Sequence, residues 1–172
     1  QTIPPAVNDR FWDEWRGLFA DSIVDGRQTG SFSEHANYLA VLFDVPDGAR
    51  RERVLRNLLA YAPDVAQAEP IFMLYPLQAL FHAGRTSAAL ALMRTRYGRM
   101  LRSGADTLRE EWSNRVSFRY GTGWARYRGA AHGAAAFLSF LLSGETLGVK
   151  PVEPGFRTFA VHPQWGALTS CE

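Results

Sequence analysis

Apolar positions recur at helical spacing in six segments, and the segments alternate between two kinds. The amphipathic kind comprises residues 8–18, 50–61 and 87–101. The other kind is apolar on most sides and must be buried on most sides, and it comprises residues 34–43, 70–81 and 129–142. The alternation predicts about three αα-hairpins, each formed by an outer helix followed by an inner helix.

The predicted connections differ in length. Those from an inner to an outer helix are short, whereas two of those from an outer to an inner helix are long, at residues 19–33 and 102–128. In an up-down array the inner helices all point the same way, so their N-termini near His35, Glu69 and His132 gather at the end that carries the long loops. Because long ordered loops are usually functional, we expect a ligand-binding mouth at this end.

The pattern changes after Gly148. Residues 149–155 are rich in turn-forming proline and glycine, and residues 157–162 alternate with a period of two through Phe159 and Val161. We therefore expect residues 1–148 to form the helical domain and residues 149–172 to form a linker and the first strand or strands of a β domain.

The composition excludes several classes of protein. The chain has 172 residues, 47% of them apolar, and a net charge of +2, which is typical of a folded globular domain. Arginines scattered beside acidic residues argue against a nucleic-acid partner. No apolar run approaches the roughly 20 residues that a membrane span requires. The single cysteine, Cys171, cannot form an internal disulfide.

Candidate chemistry is concentrated in residues 104–112, where Asp106, Glu110 and Glu111 precede Trp112. Glycosidic cleavage requires carboxyl groups, and a flat aromatic ring offers a platform for a sugar. The alternative is that these acids are solvated surface residues. His132 is open to two interpretations as well, either a ligand at the mouth or a hydrogen-bonded core histidine.

Other chemistries lack their motifs. The chain contains no metal-ligand spacing and no phosphate-binding loop, so we expect neither a metal nor another cofactor. Trp112 and Trp124 in the long loop could wall a site or pack, whereas helical spacing favours packing for Trp12 and Trp15.

The chain resembles the C-terminal half of the helical domain of bacterial α-L-rhamnosidases, glycoside hydrolase family 78. The resemblance is carried by SEHANYLA at 33–40, EPIF at 69–72, LFHAG at 80–84, residues 104–112, His132-Gly133, and LGVKPVEPGF at 147–156. The family has an (α/α)6 toroid followed by a β-sandwich. The resemblance therefore implies an all-α fold, an incomplete (α/α)6 toroid followed by the start of a β element.

The resemblance also implies hydrolysis of terminal α-L-rhamnosides with inversion. By position, Glu110 matches the general base and His132 a sugar-contacting histidine, and the further candidates for substrate binding are Glu111, Trp112 and Trp124.

Two positions depart from the family, because Arg109 and Ala134 stand where it usually has tryptophan. These departures leave open whether Glu110 or Glu111 is the base and which sugar is bound. The family's general acid lies in the half that precedes Gln1, so we expect the chain to be a fragment that is inactive alone.

Two alternatives remain. One is a non-catalytic glycan-binding or scaffolding module with the same hairpin fold, and the other is a hairpin-toroid glycosidase or lyase with another substrate. The sequence leaves the compartment open, and the absence of a signal-peptide pattern favours the cytoplasm.

Self-association is a further expectation from the predicted layers. Three hairpins alone would leave apolar inner helices exposed, and exposed apolar patches promote association. We expect the isolated chain to dimerise or aggregate in sedimentation experiments, and a well-folded monomer would contradict this prediction.

Overall fold

The structure is a computed structural model that describes residues 3–60, 62–112 and 132–170, with the side chain of Ala134 excepted. About half of the described residues are helical. The α-helices of this part are α1 (Ile3–Phe11), α2 (Glu34–Leu42), α3 (Gly48–Leu59), α4 (Leu74–His82), α5 (Thr86–Arg102) and α6 (Leu138–Leu141). The strands are short and are β1 (Trp12–Asp13), β2 (Leu18–Phe19), β3 (Ile23–Val24), β4 (Arg27–Gln28), β5 (Phe32–Ser33), β6 (Val65–Ala66), β7 (Val149–Pro151) and β8 (Phe159–Val161).

Four of the six predicted helices form close to their predicted bounds, namely α2, α3, α4 and α5. Local signals fix their starts. The Ser33 hydroxyl accepts a hydrogen bond of 3.2 Å from the Ala36 N–H and caps α2, while the Asp47 carboxylate accepts one of 2.9 Å from the Arg50 N–H and caps α3. A 3₁₀ turn over Pro70–Phe72 precedes α4, with proline at its first position as the sequence predicts.

The prediction of an outer helix over residues 8–18 is wrong for most of its length. Helix α1 ends at Phe11, and β1 and β2 form an antiparallel hairpin instead. Gly17 adopts a φ of 63°, and the Asp13 carboxylate accepts a 2.8 Å hydrogen bond from the Arg16 N–H, so a tight turn replaces the helix. Trp15 lies at this turn and is 85% exposed, which contradicts its predicted packing role.

The last predicted inner helix is also wrong in part. Its residues 129–131 lie outside the described residues, and the remainder is divided into a 3₁₀ turn over Gly133–Ala135, the short helix α6 and a π turn over Leu142–Thr146. Leu141 is fully buried, whereas Phe140 is 62% exposed. Glycine and serine within the π turn have low helix propensity, and Ser143 donates back to the Ser139 carbonyl at 2.7 Å.

The core lies between the inner helices and their neighbours. Helices α2 and α4 pack against each other, α2 also contacts α3, and α4 contacts α5 and α6. Fully buried aliphatic side chains fill this interface, among them Val41, Val54, Leu77 and Leu80. The alternation of outer and inner helices is therefore realised over α2 to α5 as a packed helical domain.

Two short strands follow Gly148: β8 lies within the residues predicted to form a strand, and β7 lies within the turn-rich stretch predicted to form a linker. Strands β7 and β8 pair antiparallel with Val149 opposite Val161, and the His162 N–H donates to the Gly148 carbonyl at 2.9 Å. The chain then returns to the helices, where the Thr86 hydroxyl donates to the Gln164 amide oxygen at 3.2 Å. The β pair is thereby attached to the N-terminus of α5.

Replacing Gly148 by alanine should lower the free energy of unfolding by more than the positive φ of this residue alone would. Gly148 has a φ of 71°, and an added Cβ would lie 2.0 Å from the His162 carbonyl oxygen. Gly155 is a matched control, since its φ is 73° but open space surrounds the Cβ position. We expect urea unfolding to show a loss for Gly148→Ala about 1–3 kcal/mol larger than for Gly155→Ala. Equal losses would contradict the close approach.

Candidate functional site

The segments that precede the inner helices meet at one end of the molecule. Strand β5, directly before α2, pairs in parallel with β6, so that Phe32 lies opposite Val65 and Ser33 opposite Ala66. The 3₁₀ turn over Pro70–Phe72, before α4, contacts the 3₁₀ turn over Gly133–Ala135, before α6. This convergence agrees with the predicted gathering of the inner-helix N-termini, and we call this end the candidate mouth.

A buried ion pair lies beneath the candidate mouth. The Glu34 carboxylate and the Arg96 guanidinium form two parallel hydrogen bonds, one of them 2.8 Å long between Arg96 Nη1 and Glu34 Oε2. Their side chains are 5% and 7% exposed. Glu34 Oε2 also accepts the Ala68 N–H at 2.7 Å, and Arg96 Nη1 lies 3.2 Å from Met73 Sδ. These bonds satisfy both charges inside the domain.

Trp112 is held by three contacts at the candidate mouth. Its indole Nε1–H donates to the Ala68 carbonyl at 2.7 Å, and its backbone N–H donates to Glu69 Oε2 at 2.8 Å. The ring of Tyr97 meets the indole edge-on, with 5.1 Å between ring centroids. Trp112 is half-buried, so part of its surface remains open.

The loop before Trp112 is also joined to the segment before α6. The His132 N–H donates to the Leu108 carbonyl at 2.9 Å, which places residues 108 and 132 side by side. Glu110 is half-buried and lies two residues from this bond, and Glu111 is exposed. No hydrogen bond or ion pair joins Glu110 to another residue within the described ranges.

His132 itself is half-buried, and its ring Nδ1 is buried without a hydrogen-bond partner in the part of the chain that the structure describes. A buried polar nitrogen without a partner is unfavourable by about 1–3 kcal/mol. A hydrogen-bonded core histidine would have such a partner, and His132 Nδ1 has none among the described residues. The remaining predicted site residue, Trp124, lies outside the described residues.

Three aromatic rings lie in a row between the first turn of α2 and the first turn of α4. The His35 ring lies 4.4 Å from the Phe72 ring, and the Phe72 ring lies 4.8 Å from that of Tyr75, between centroids. Tyr75 is 38% exposed. The row joins the first turn of α2 to the first turn of α4 and forms an apolar wall beside the convergent helix ends.

Sequence reasoning missed the ion pair. The helical pattern of residues 87–101 places Arg96 with Arg94 and Arg99 on polar faces, but Arg96 is buried, so that assignment is wrong for Arg96. A signal was present, because the apolar residues Met93 and Met100 stand at i−3 and i+4 from Arg96, on the same helix face, and both are buried. Glu34, at the first position of α2, gave no comparable signal.

Burial raises the pKa of the Tyr97 hydroxyl, and desolvation together with the nearby Glu34 charge raises the pKa of Tyr38. Both phenols therefore keep their protons in the folded chain at pH values where they ionise in the unfolded chain.

The chain should accordingly lose stability as the pH rises above about 10. Both tyrosines have a higher pKa in the folded chain than in the unfolded chain. The free energy of unfolding is therefore unaffected by their ionisation below the unfolded pKa, and above it falls by up to about 1.4 kcal/mol per pH unit for each tyrosine. Urea unfolding between pH 9 and 11 measures this slope, and Tyr97→Phe should make it shallower. An unchanged slope in that variant would show that Tyr97 does not contribute to the pH dependence of stability.

Metal and membrane sites receive no support within the described ranges. These residues contain no group of three or more His, Cys, Asp or Glu side chains that could hold a metal ion. None of the helices within the described residues could span a lipid bilayer.

The helix ends thus converge beside Trp112 and Glu110, and Glu110 has no side-chain partner among the residues that the structure describes. The chain is similar to part of a solved structure, the GH78 family rhamnosidase of Bacillus sp. GL1, with a TM-score of 0.76 and 28% sequence identity. The match covers 93% of this chain and 17% of that chain, so this chain spans about a sixth of the rhamnosidase. No protein-family model and no curated protein matches the sequence. The findings support a GH78-like fold and a glycoside hydrolase-like fragment.

Proposed function

We propose that the chain is part of a glycoside hydrolase that removes terminal α-L-rhamnosyl groups with inversion of configuration. The observation that carries this proposal is the similarity of 93% of the chain to a GH78 family rhamnosidase at a TM-score of 0.76. The contacts that fasten residues 108–112 to the convergent helix ends support it, because Glu110 belongs to this loop.

In the proposed mechanism Glu110 is the general base. It removes a proton from water as the water attacks the anomeric carbon, while a second carboxyl group protonates the leaving oxygen from the other side. The half-buried Glu110 carboxylate has no ion-pair partner in the described part, so no salt bridge among these residues occupies its oxygens. Glu111 is the alternative base, and its greater exposure favours a role in substrate binding.

The other residues bind the sugar in this proposal. His132 lies beside the loop through its bond to Leu108, and its buried Nδ1 would form a hydrogen bond with a sugar hydroxyl. Trp112 offers its ring rather than a donor, because its indole N–H is already bonded to Ala68. Trp124 is the second candidate for the wall of the site.

Inversion requires two carboxyl groups about 6.5–9.5 Å apart. The resemblance to family 78 assigns the general acid to the preceding half of the helical domain. We therefore propose that the chain alone does not hydrolyse rhamnosides, and that activity requires a protein in which it is joined to that preceding half.

The test is hydrolysis of an aryl α-L-rhamnoside by such a protein, followed by proton NMR of the first sugar released. Inverting hydrolysis would release β-L-rhamnose first, and α-L-rhamnose as the first product would contradict the mechanism. Activity on a different aryl glycoside would contradict the proposed substrate class in favour of another glycosidase. An unsaturated product from a uronide would indicate a lyase instead.

The departures at residues 109 and 134 favour a second candidate, a glycan-binding module without hydrolysis. Arg109 donates to the Ser103 hydroxyl at 3.3 Å, so this side chain bonds within the loop, where the family has a tryptophan. Calorimetric titration with L-rhamnose separates the two candidates. Binding without turnover in the same longer protein would favour the module.

A further inference from the structure

The Glu34–Arg96 pair differs from the other ion pairs of the described residues. Each of those pairs has at least one side chain that is more than half exposed, whereas the side chains of Glu34 and Arg96 are both nearly inaccessible to solvent. Removing two charges from water is costly, and well-packed apolar residues often give equal or greater stability. A gain in stability is therefore a weak explanation for a buried ion pair at this position.

The pair holds the backbone of Ala68 on both sides of its Cα, through the N–H of one peptide unit and the carbonyl of the next. Glu34 accepts the Ala68 N–H at 2.7 Å, and Arg96 Nη1 lies 3.4 Å from the Ala68 carbonyl oxygen. The same carbonyl accepts the Trp112 indole N–H at 2.7 Å, and the next residue, Glu69, accepts the Trp112 backbone N–H. The orientation of residues 68 and 69 therefore determines where Trp112 is held.

Helix α5 completes the anchor. Arg96 and Tyr97 are consecutive and buried, and they meet Trp112 by different routes, Arg96 through Ala68 and Tyr97 by its ring edge. Trp112 is two residues from Glu110, so a shift of its anchor would move the carboxylate as well. A displacement of about 1 Å can reduce the rate of an enzyme on the order of a hundredfold.

We propose that Glu34 and Arg96 are a positioning pair, which orients the Ala68–Glu69 segment so that it fixes Trp112 and, through Trp112, Glu110. Neither residue needs to touch the substrate. The effect on catalysis rests on the proposed function of Glu110, whereas the anchoring of Trp112 does not.

The test of anchoring uses the double variant Glu34→Gln/Arg96→Met, which removes both charges and leaves neither stranded. The matched control is Glu52→Gln/Arg85→Met, which makes the same replacements in an exposed pair. In a chain labelled with ¹⁵N-tryptophan, the indole N–H signal of Trp112 is assigned by its loss in Trp112→Phe.

We expect the Trp112 indole N–H to exchange with solvent at least about tenfold faster in the buried-pair variant, because its acceptor loses its fixed orientation. The control should exchange at the wild-type rate. An unchanged Trp112 signal in a folded buried-pair variant would overturn the proposal. If that variant does not fold, Arg96→Lys tests the same point, since it keeps the charge but cannot form both parallel bonds.

The catalytic consequence is measured in the longer protein described under the proposed function, with an aryl α-L-rhamnoside. We expect kcat to fall at least about tenfold with a smaller change in KM, and the control variant to match the wild type. Faster indole exchange with unchanged kcat would overturn the positioning role. Absence of activity in the wild-type protein would instead count against the proposed function, and indole exchange would still decide the anchoring.

Discussion

Replacing Glu110 by glutamine in a protein that includes the preceding half of the domain is expected to reduce kcat on an aryl α-L-rhamnoside by about 10²–10⁴-fold. An amide cannot accept the proton of the attacking water. Folding should be unaffected within about 0.5 kcal/mol, because Glu110 makes no hydrogen bond or ion pair with the described residues that glutamine would lose. Steady-state kinetics and urea unfolding of the same samples measure both quantities.

The neighbouring residue provides the control. Glu111→Gln carries the same chemical change one position away and should alter KM more than kcat if Glu111 contacts the sugar. Wild-type activity in Glu110→Gln would remove Glu110 from the mechanism. Loss of kcat in Glu111→Gln alone would assign the base to Glu111, which is the alternative that the replacement of tryptophan by Arg109 leaves open.

The helices that the sequence predicts correctly are those with strong local signals. Helix α2 combines the Ser33 cap with an apolar run, and α5 has an apolar stripe through Met93, Tyr97 and Met100. The predicted first helix fails beyond Phe11 because apolar residues at helical spacing also fit a hairpin closed by a turn. The decisive feature, Gly17 with positive φ, has no periodic signature.

Part of the candidate site follows from the sequence and part requires the fold. The convergence of the inner helix ends follows from the up-down order of the helices and the loop lengths, and it places Trp112 and His132 at one end. The anchor of Trp112 does not, because it joins residues 34, 68, 96 and 112, which lie far apart in the chain. Helical periodicity assigns charged side chains to solvent, and only tertiary packing shows that Glu34 and Arg96 satisfy each other.

Replacing Arg96 alone by methionine is expected to destabilise the chain by about 3–5 kcal/mol, measured as the free energy of unfolding in urea. The variant leaves the Glu34 carboxylate buried without its counter-charge, and one Ala68 N–H is a weak substitute for two charged hydrogen bonds. The exposed counterpart, Arg85→Met, should cost less than about 1 kcal/mol.

The double variant Glu34→Gln/Arg96→Met should be more stable than Arg96→Met, because it contains no stranded charge. A double-mutant cycle then gives a large favourable coupling between the two residues, while their joint removal costs far less than the two single losses combined. Additive single effects would show that the two groups do not act as a pair. A small net contribution to stability combined with a strong coupling is the pattern expected of a buried ion pair that adds little to the stability of the fold, and it agrees with the positioning role proposed for Glu34 and Arg96.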